Sequence, residues 1–120
     1  MSRRNIERRR DARDLWPTLA YMLGWYFNED RQVLHGSAEE ALTKAAAELP
    51  LETRQSIIRE WYDWQSKEGG NDDDLRRFVQ DGFGVNLYFK KPIDARNFMS
   101  RIHDRLIESI RIETGGRWKP

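Results

Sequence analysis

The chain has 120 residues and 38% hydrophobic content, enough for one domain around one core, and a second folding unit would leave neither part enough buried area. Lys and Arg number 21 against 20 Asp and Glu, so the net charge of +1 argues neither for nor against a nucleic-acid partner. The absence of cysteine excludes disulfides and thiolate metal sites, and no apolar run approaches the ~20 residues of a membrane span. The arginine-rich start lacks the apolar core of a secretory signal, so a cytoplasmic location with no membrane attachment is expected.

Residues 1–14 carry six arginines against three acids and have almost nothing apolar to bury, which predicts a basic, flexible tail, frayed or partly helical. The folded domain is expected over 15–114, with 115–120 as a C-terminal tail. Helix 1 should run from Leu15 to Asn28, with Asp14 as its N-cap and Pro17 in the first turn, where a missing amide hydrogen costs nothing. Leu15, Leu19, Met22, Leu23 and Tyr26 recur on one face of it, a core-forming stripe. Gly24 within that helix costs about 1 kcal/mol relative to alanine, a loss that makes sense where another helix crosses closely.

His35-Gly36 breaks the pattern, and Ser37-Ala38-Glu39-Glu40 is a capping box that opens helix 2. Ala41, Leu42, Ala45, Ala46 and Leu49 form its inner face, and Pro50 ends it. Helix 3, Leu51 to Ser66, spreads Ile57, Ile58, Trp61, Tyr62 and Trp64 over more than one face. Either it is buried on several sides or one of its aromatics is an exposed binding anchor; Trp61 reads as core, and Trp64 stays open between the two.

Lys67-Glu68-Gly69-Gly70-Asn71 reads as a loop. Asp72-Asp73-Asp74 then places negative charge at the start of a short helix 4 with Leu75, Phe78 and Val79 inward. The triplet lacks the alternating ligands and terminal glutamate of a calcium loop. Residues 81–89, with two glycines and several aromatics, have no second strand to pair with and read as an irregular, apolar-anchored connection. Helix 5 opens at Pro92 or Asp94, repeats Phe98, Ile102, Leu106 and Ile110, and ends at Gly115-Gly116. The fold class is therefore all-α, about five helices in a single compact domain, with helices 1, 3 and 5 as the main core.

Gly24, Tyr26, Phe27 and Asp30 form a Gly-x-Tyr-Phe-x-x-Asp signature, and Ser37-Ala38-Glu39-Glu40-Ala41, Glu48-Leu49-Pro50 and Asp81-Gly82-Phe83-Gly84 follow it. In these features the chain resembles one family of immunity proteins of bacterial contact-dependent growth inhibition systems, over roughly residues 15–110. It departs at Asn28 and Glu29, where many members have histidine and glutamine, and at Arg31, where many have tryptophan. The resemblance implies a small cytoplasmic antitoxin that neutralises the toxin C-terminal domain delivered by a neighbouring cell.

Charge is unevenly spread: +3 over residues 1–14, −7 over 28–74 and +5 over 75–120. A one-signed acidic face suits steering to a basic partner, such as the substrate groove of a nuclease toxin. Candidate contacts are Glu29, Glu39, Glu40, Glu60, Asp63 and Asp72-Asp73-Asp74, with Trp64 as anchor. Glu29 and Asp30 sit where the helix dipole disfavours them. Asp30 is expected to accept backbone hydrogen bonds in the Arg31–Gly36 turn or to pair with a helix 5 arginine, and Glu29 to face the partner.

No metal site, cofactor or catalytic residue is expected. The two histidines, His35 and His103, read as partly exposed polar side chains. Two rival readings remain: a small nucleic-acid-binding regulator using the arginine arm and the basic C-terminal half, and an enzyme centred on His103 with partners from elsewhere in the fold.

Overall fold

Pro17 has no amide hydrogen to give, and it forces Trp16 out of helical geometry, to φ −135° and ψ 59°. The N-terminal stretch is therefore two helices joined at a bend. They are α1, Arg3–Leu15, and α2, Pro17–Tyr26, in the computed structural model, which describes residues 3–120. Trp16 N donates to Ala12 O at 3.0 Å and Ala20 N to Trp16 O at 2.9 Å, carrying the hydrogen-bond ladder up to the bend and away from it.

The basic start is thus a docked helix, not a flexible tail. Ala12 is fully buried, Arg8 pairs with Asp81 at 3.7 Å, and a Cβ on Gly82 would stand 3.4 Å from the Arg8 carbonyl. The backbone of α1 lies against a π-helical turn, Phe78–Gly82, whose glycine permits the approach. Ordering a polar segment requires contacts from elsewhere, and this turn supplies them. Because α1 continues to Leu15, Asp14 lies inside it and caps nothing, and Leu15 is exposed.

After α2, a single turn, α3 (Arg31–Leu34), leads to α4 (Ala38–Glu48), α5 (Leu51–Trp64) and α6 (Pro92–Thr114). The capping box forms as expected: Glu40 N donates to Ser37 Oγ at 3.1 Å and Ser37 N to Glu40 Oε1 at 3.3 Å. Lys91 N donates to Asp94 Oδ2 at 3.0 Å where α6 begins, and Gly115, at φ 65°, ends it. Leu19 and Leu23 of α2, Ile57 and Ile58 of α5, and Ile102, Leu106 and Ile110 of α6 are all fully buried. α2, α5 and α6 form the main core, and α4 packs on α6 with Ala41 and Ala45 inward. The radius of gyration, 13.8 Å, matches the roughly 14 Å of a compact domain of this length.

Trp64 is fully buried, so it is a core residue and not a contact anchor. Its ring packs on Phe83 at 6.0 Å and on Gly69, where a Cβ would come within 2.9 Å of the indole. The expected loop at 67–71 is for this reason a π-helical turn, Gln65–Gly69, wrapped over the indole. Trp61 is buried too and donates its Nε1 to Met99 O at 2.9 Å. Residues 83–91 form the irregular connection, with Phe83, Val85 and Phe89 buried and Asn86 N donating to Phe27 O at 2.7 Å. No strand occurs among the described residues. Trp118 in the C-terminal segment packs on the core under Arg59, 5.5 Å from its ring.

Among the described residues Arg54 is the one arginine or lysine in the buried set, and all its bonds join elements. Nε donates to Leu49 O at 2.9 Å at the end of α4, Nη1 to Ser109 Oγ at 3.1 Å, and Nη2 pairs with Glu113. Arg54→Ala strands these partners and is expected to cost about 3 kcal/mol in urea-monitored unfolding. At the α2–α4 contact, burial and then the hydrogen bond to Glu48 (2.9 Å) push the Tyr26 hydroxyl up to about 12. A raised tyrosine stays protonated in the fold. Its contribution is complete below the ordinary value of 10.0 and is lost as pH rises from there to about 12. Tyr26→Phe, which has no phenol to ionise, should show a flatter decline of stability between about pH 10 and pH 12 in denaturant titrations.

Candidate partner-binding surface

The acidic residues do not converge into one face. Glu60 and Asp63, on one side of α5, turn towards the bend: Leu19 N donates to Glu60 Oε1 and Trp16 Nε1 to Asp63 Oδ2, both at 2.9 Å. Glu60 therefore caps the N-terminus of α2 from another helix, satisfying a donor that Trp16 leaves without a side-chain partner. The Trp16 hydrogen bond, then Lys67 at 3.2 Å, hold the Asp63 carboxyl below its ordinary range. Glu39 is bonded by Arg101 Nη2 at 2.6 Å and is likewise lowered, and Glu40 serves the capping box.

The Asp72-Asp73-Asp74 run is braced locally. Asp72 Oδ1 accepts from Asp74 N at 3.0 Å, Arg96 donates to Asp72 O at 2.8 Å, and Arg76 grips Asp74 at 2.8 Å, pulling that carboxyl down to about 2. Asp73 is exposed. Asp30 caps α3 with its main-chain carbonyl, which accepts from Val33 N and Leu34 N at 3.1 Å. Its carboxylate makes neither expected contact, and Arg31 donates instead to Gly36 O at 2.7 Å. Gly24, Tyr26 and Phe27 are structural. Tyr26 and Phe27 are buried, and a Cβ on Gly24 would stand 3.6 Å from the Phe83 carbonyl, so the connection and not the expected helix crosses there.

The two histidines differ from each other. His35 is buried against the rings of Trp25 (5.9 Å) and Tyr26 (4.9 Å), and neither ring nitrogen has a hydrogen-bond partner among the described residues, contrary to the expected exposure. His103 is partly exposed, with Nε2 2.7 Å from the Tyr62 hydroxyl and Nδ1 2.9 Å from Asp104 Oδ1. That hydrogen-bonded trio ties α5 to α6 and lines neither of the hollows described below. Among the described residues, no three carboxylate or imidazole groups are placed to share a metal ion. No helix there is long and apolar enough to cross a membrane.

One hollow runs along the bend between α1 and α2. It is a groove of about 490 Å³ between α1, α2 and the start of the connection. Arg9, Arg13, Pro17, Tyr21 and Trp25 follow one another along its helical wall at four-residue spacing, and Phe83 and Gly84 form the other wall. Tyr21 is 71% exposed and Trp25 48%. A domain boundary expected at Leu15 hides this wall, although the spacing itself is visible in the chain. A second, polar hollow of about 430 Å³ shares Arg9 and Gly84 with the first and adds Asn28, Glu29 and Asp81. Glu29 is exposed there, free of any helix-capping role.

Comparison with protein-family models, with curated proteins and with solved structures finds no match.

The lowered carboxylates of Glu39, Asp63 and Asp74 make stability depend on pH in the acid range. A depressed carboxyl contributes stability above its unfolded value, 3.8 for an aspartate, and loses it as pH falls towards the folded one, about 2 for Asp74. Stability should therefore fall steadily between about pH 4 and pH 2. Asp63→Asn should flatten the upper part of that decline in chemical denaturation curves.

Proposed function

We propose that the chain is an immunity protein that binds a cognate contact-dependent growth inhibition toxin domain and neutralises it by stoichiometric occlusion, acting in the cytoplasm of the bacterium that makes it. The observation that carries this reading is the pair Tyr21 and Trp25, held exposed on a helix whose other face is locked into the core. Large aromatics in that position are expensive to leave in water unless a partner covers them, and they dominate interface energetics where one does. The signature residues Gly24, Tyr26 and Phe27 support the same reading, because they fix the helix that presents the pair. For a nuclease toxin, Glu29 beside the groove is the acid best placed to meet a basic residue of it.

Co-expression with the toxin domain encoded in the adjacent reading frame tests the reading. The expected result is restored growth and a one-to-one complex that survives gel filtration. Unrelieved toxicity, or turnover of a substrate by the isolated chain, contradicts it.

A further inference from the structure

The groove at the bend changes character along its length. On the α1 side it is lined by the exposed Arg9 and Arg13 together with the apolar Pro17, Ala20 and Phe83. Past Gly84 it opens into the polar hollow, which Arg9 shares with Glu29 and with Asp81, the latter paired with Arg8. Arg8, Arg54, Arg76 and Arg101 are committed to Asp81, Glu113, Asp74 and Glu39. Among the described residues, no carboxylate pairs with Arg9 or Arg13, although both are exposed next to the exposed Tyr21 and Trp25.

We infer that this groove takes an acidic segment of a partner protein, one carrying an apolar or aromatic side chain that enters between Tyr21, Trp25 and Phe83 while flanking carboxylates meet Arg9 and Arg13. The inference rests on the proposed function and names the chemistry of the toxin element that the chain grips. Arginine suits the role because its planar fork accepts a carboxylate through two parallel hydrogen bonds, and Trp, Tyr and Arg are the residue types that concentrate binding energy at protein interfaces.

Charge decides against the other occupants. A nucleic-acid strand needs a basic track for its phosphates along the whole groove, and here a strand leaving the aromatic floor past Gly84 meets the exposed Glu29 beside an Asp81 already paired with Arg8. A protein segment has no such difficulty, since its charge can change sign along its length: acidic opposite the arginines, basic or neutral opposite Glu29. A second copy of the chain would have to present an acidic, apolar-anchored element, and Glu39, Asp63, Glu60 and Asp74 are already held by Arg101, Trp16, Leu19 and Arg76.

The full chain, panned against a phage library of random dodecapeptides at physiological salt, provides the test. Expected are peptides with an aromatic or leucine anchor flanked by Asp or Glu. Their binding should weaken by about tenfold or more both in Trp25→Ala and in Arg9→Glu/Arg13→Glu, and the arginine variant should recover binding to peptides whose acids are changed to lysine. Arg9 and Arg13 are exposed, so the thermal melt of the arginine variant should overlay that of the parent, and a cooperative melt of Trp25→Ala checks that the fold survives loss of the ring that packs on His35. Recovery of peptides without acidic enrichment, or binding that ignores these variants, overturns the inference. So does capture of a fluorescent oligothymidine through the same residues, or self-association abolished by Trp25→Ala. If any of these occurs while the chain still protects cells from the adjacent toxin, the groove assignment falls and the proposed function stands. Failure of protection with acidic peptides still bound does the reverse.

Discussion

The bend at Trp16 and Pro17 is the constraint from which the rest of the molecule follows. Pro17 ends one helix and begins the next, and the first turn of a helix leaves amide donors without intrahelical partners. Here α5 compensates. Glu60 accepts from Leu19 N and Asp63 from the Trp16 indole, so the break becomes the point at which the N-terminal third is fastened to the central helix. Trp16 then reaches Phe78 at 5.8 Å and Phe83 at 6.4 Å, drawing the turn at 78–82 beneath α1. These contacts fix the bend, and the groove runs along it.

The acidic middle of the chain looks on paper like a single field, but its carboxylates are distributed over α4, α5 and the 72–74 run, and most already hold an internal donor. A carboxylate held by an arginine at 2.6 or 2.8 Å has little charge left to project beyond a Debye length, ~8 Å at physiological salt. At the bend, Arg9 and Arg13 are exposed with no carboxylate partner among the described residues, and Glu29 lies at the far end of the cleft. Net charge by segment is thus a poor guide to which surface a partner meets.

Features set by neighbours in sequence are legible: the Ser37 to Glu40 capping box, Pro17 at the head of a helix, the Ile102, Leu106 and Ile110 stripe, and the stop at Gly115. Those set by long-range partners are not. The Trp16–Asp63 and Leu19–Glu60 bonds span 47 and 41 residues, and nothing local marks either acid as internal. Trp64 is ambiguous in one dimension because its burial depends on a π-turn that needs Gly69 under the indole, and that turn looks like an ordinary glycine loop. The arginine-rich start looks like a tail because α1 docks through Ala12 and through close backbone approach to Gly82, so it has almost no apolar side chains to advertise the contact.

The five tryptophans allow the central claim to be tested in one spectrum, since Trp25 lines the groove, Trp16, Trp61 and Trp64 are buried behind it, and Trp118 lies under Arg59. The measurement is the set of indole N–H resonances of the ¹⁵N-labelled chain, recorded alone and in complex with the toxin domain from the adjacent reading frame. The account expects the Trp25 resonance to move or broaden strongly while those of Trp61 and Trp64 stay near their free positions. A stable complex that leaves Trp25 unchanged would contradict it.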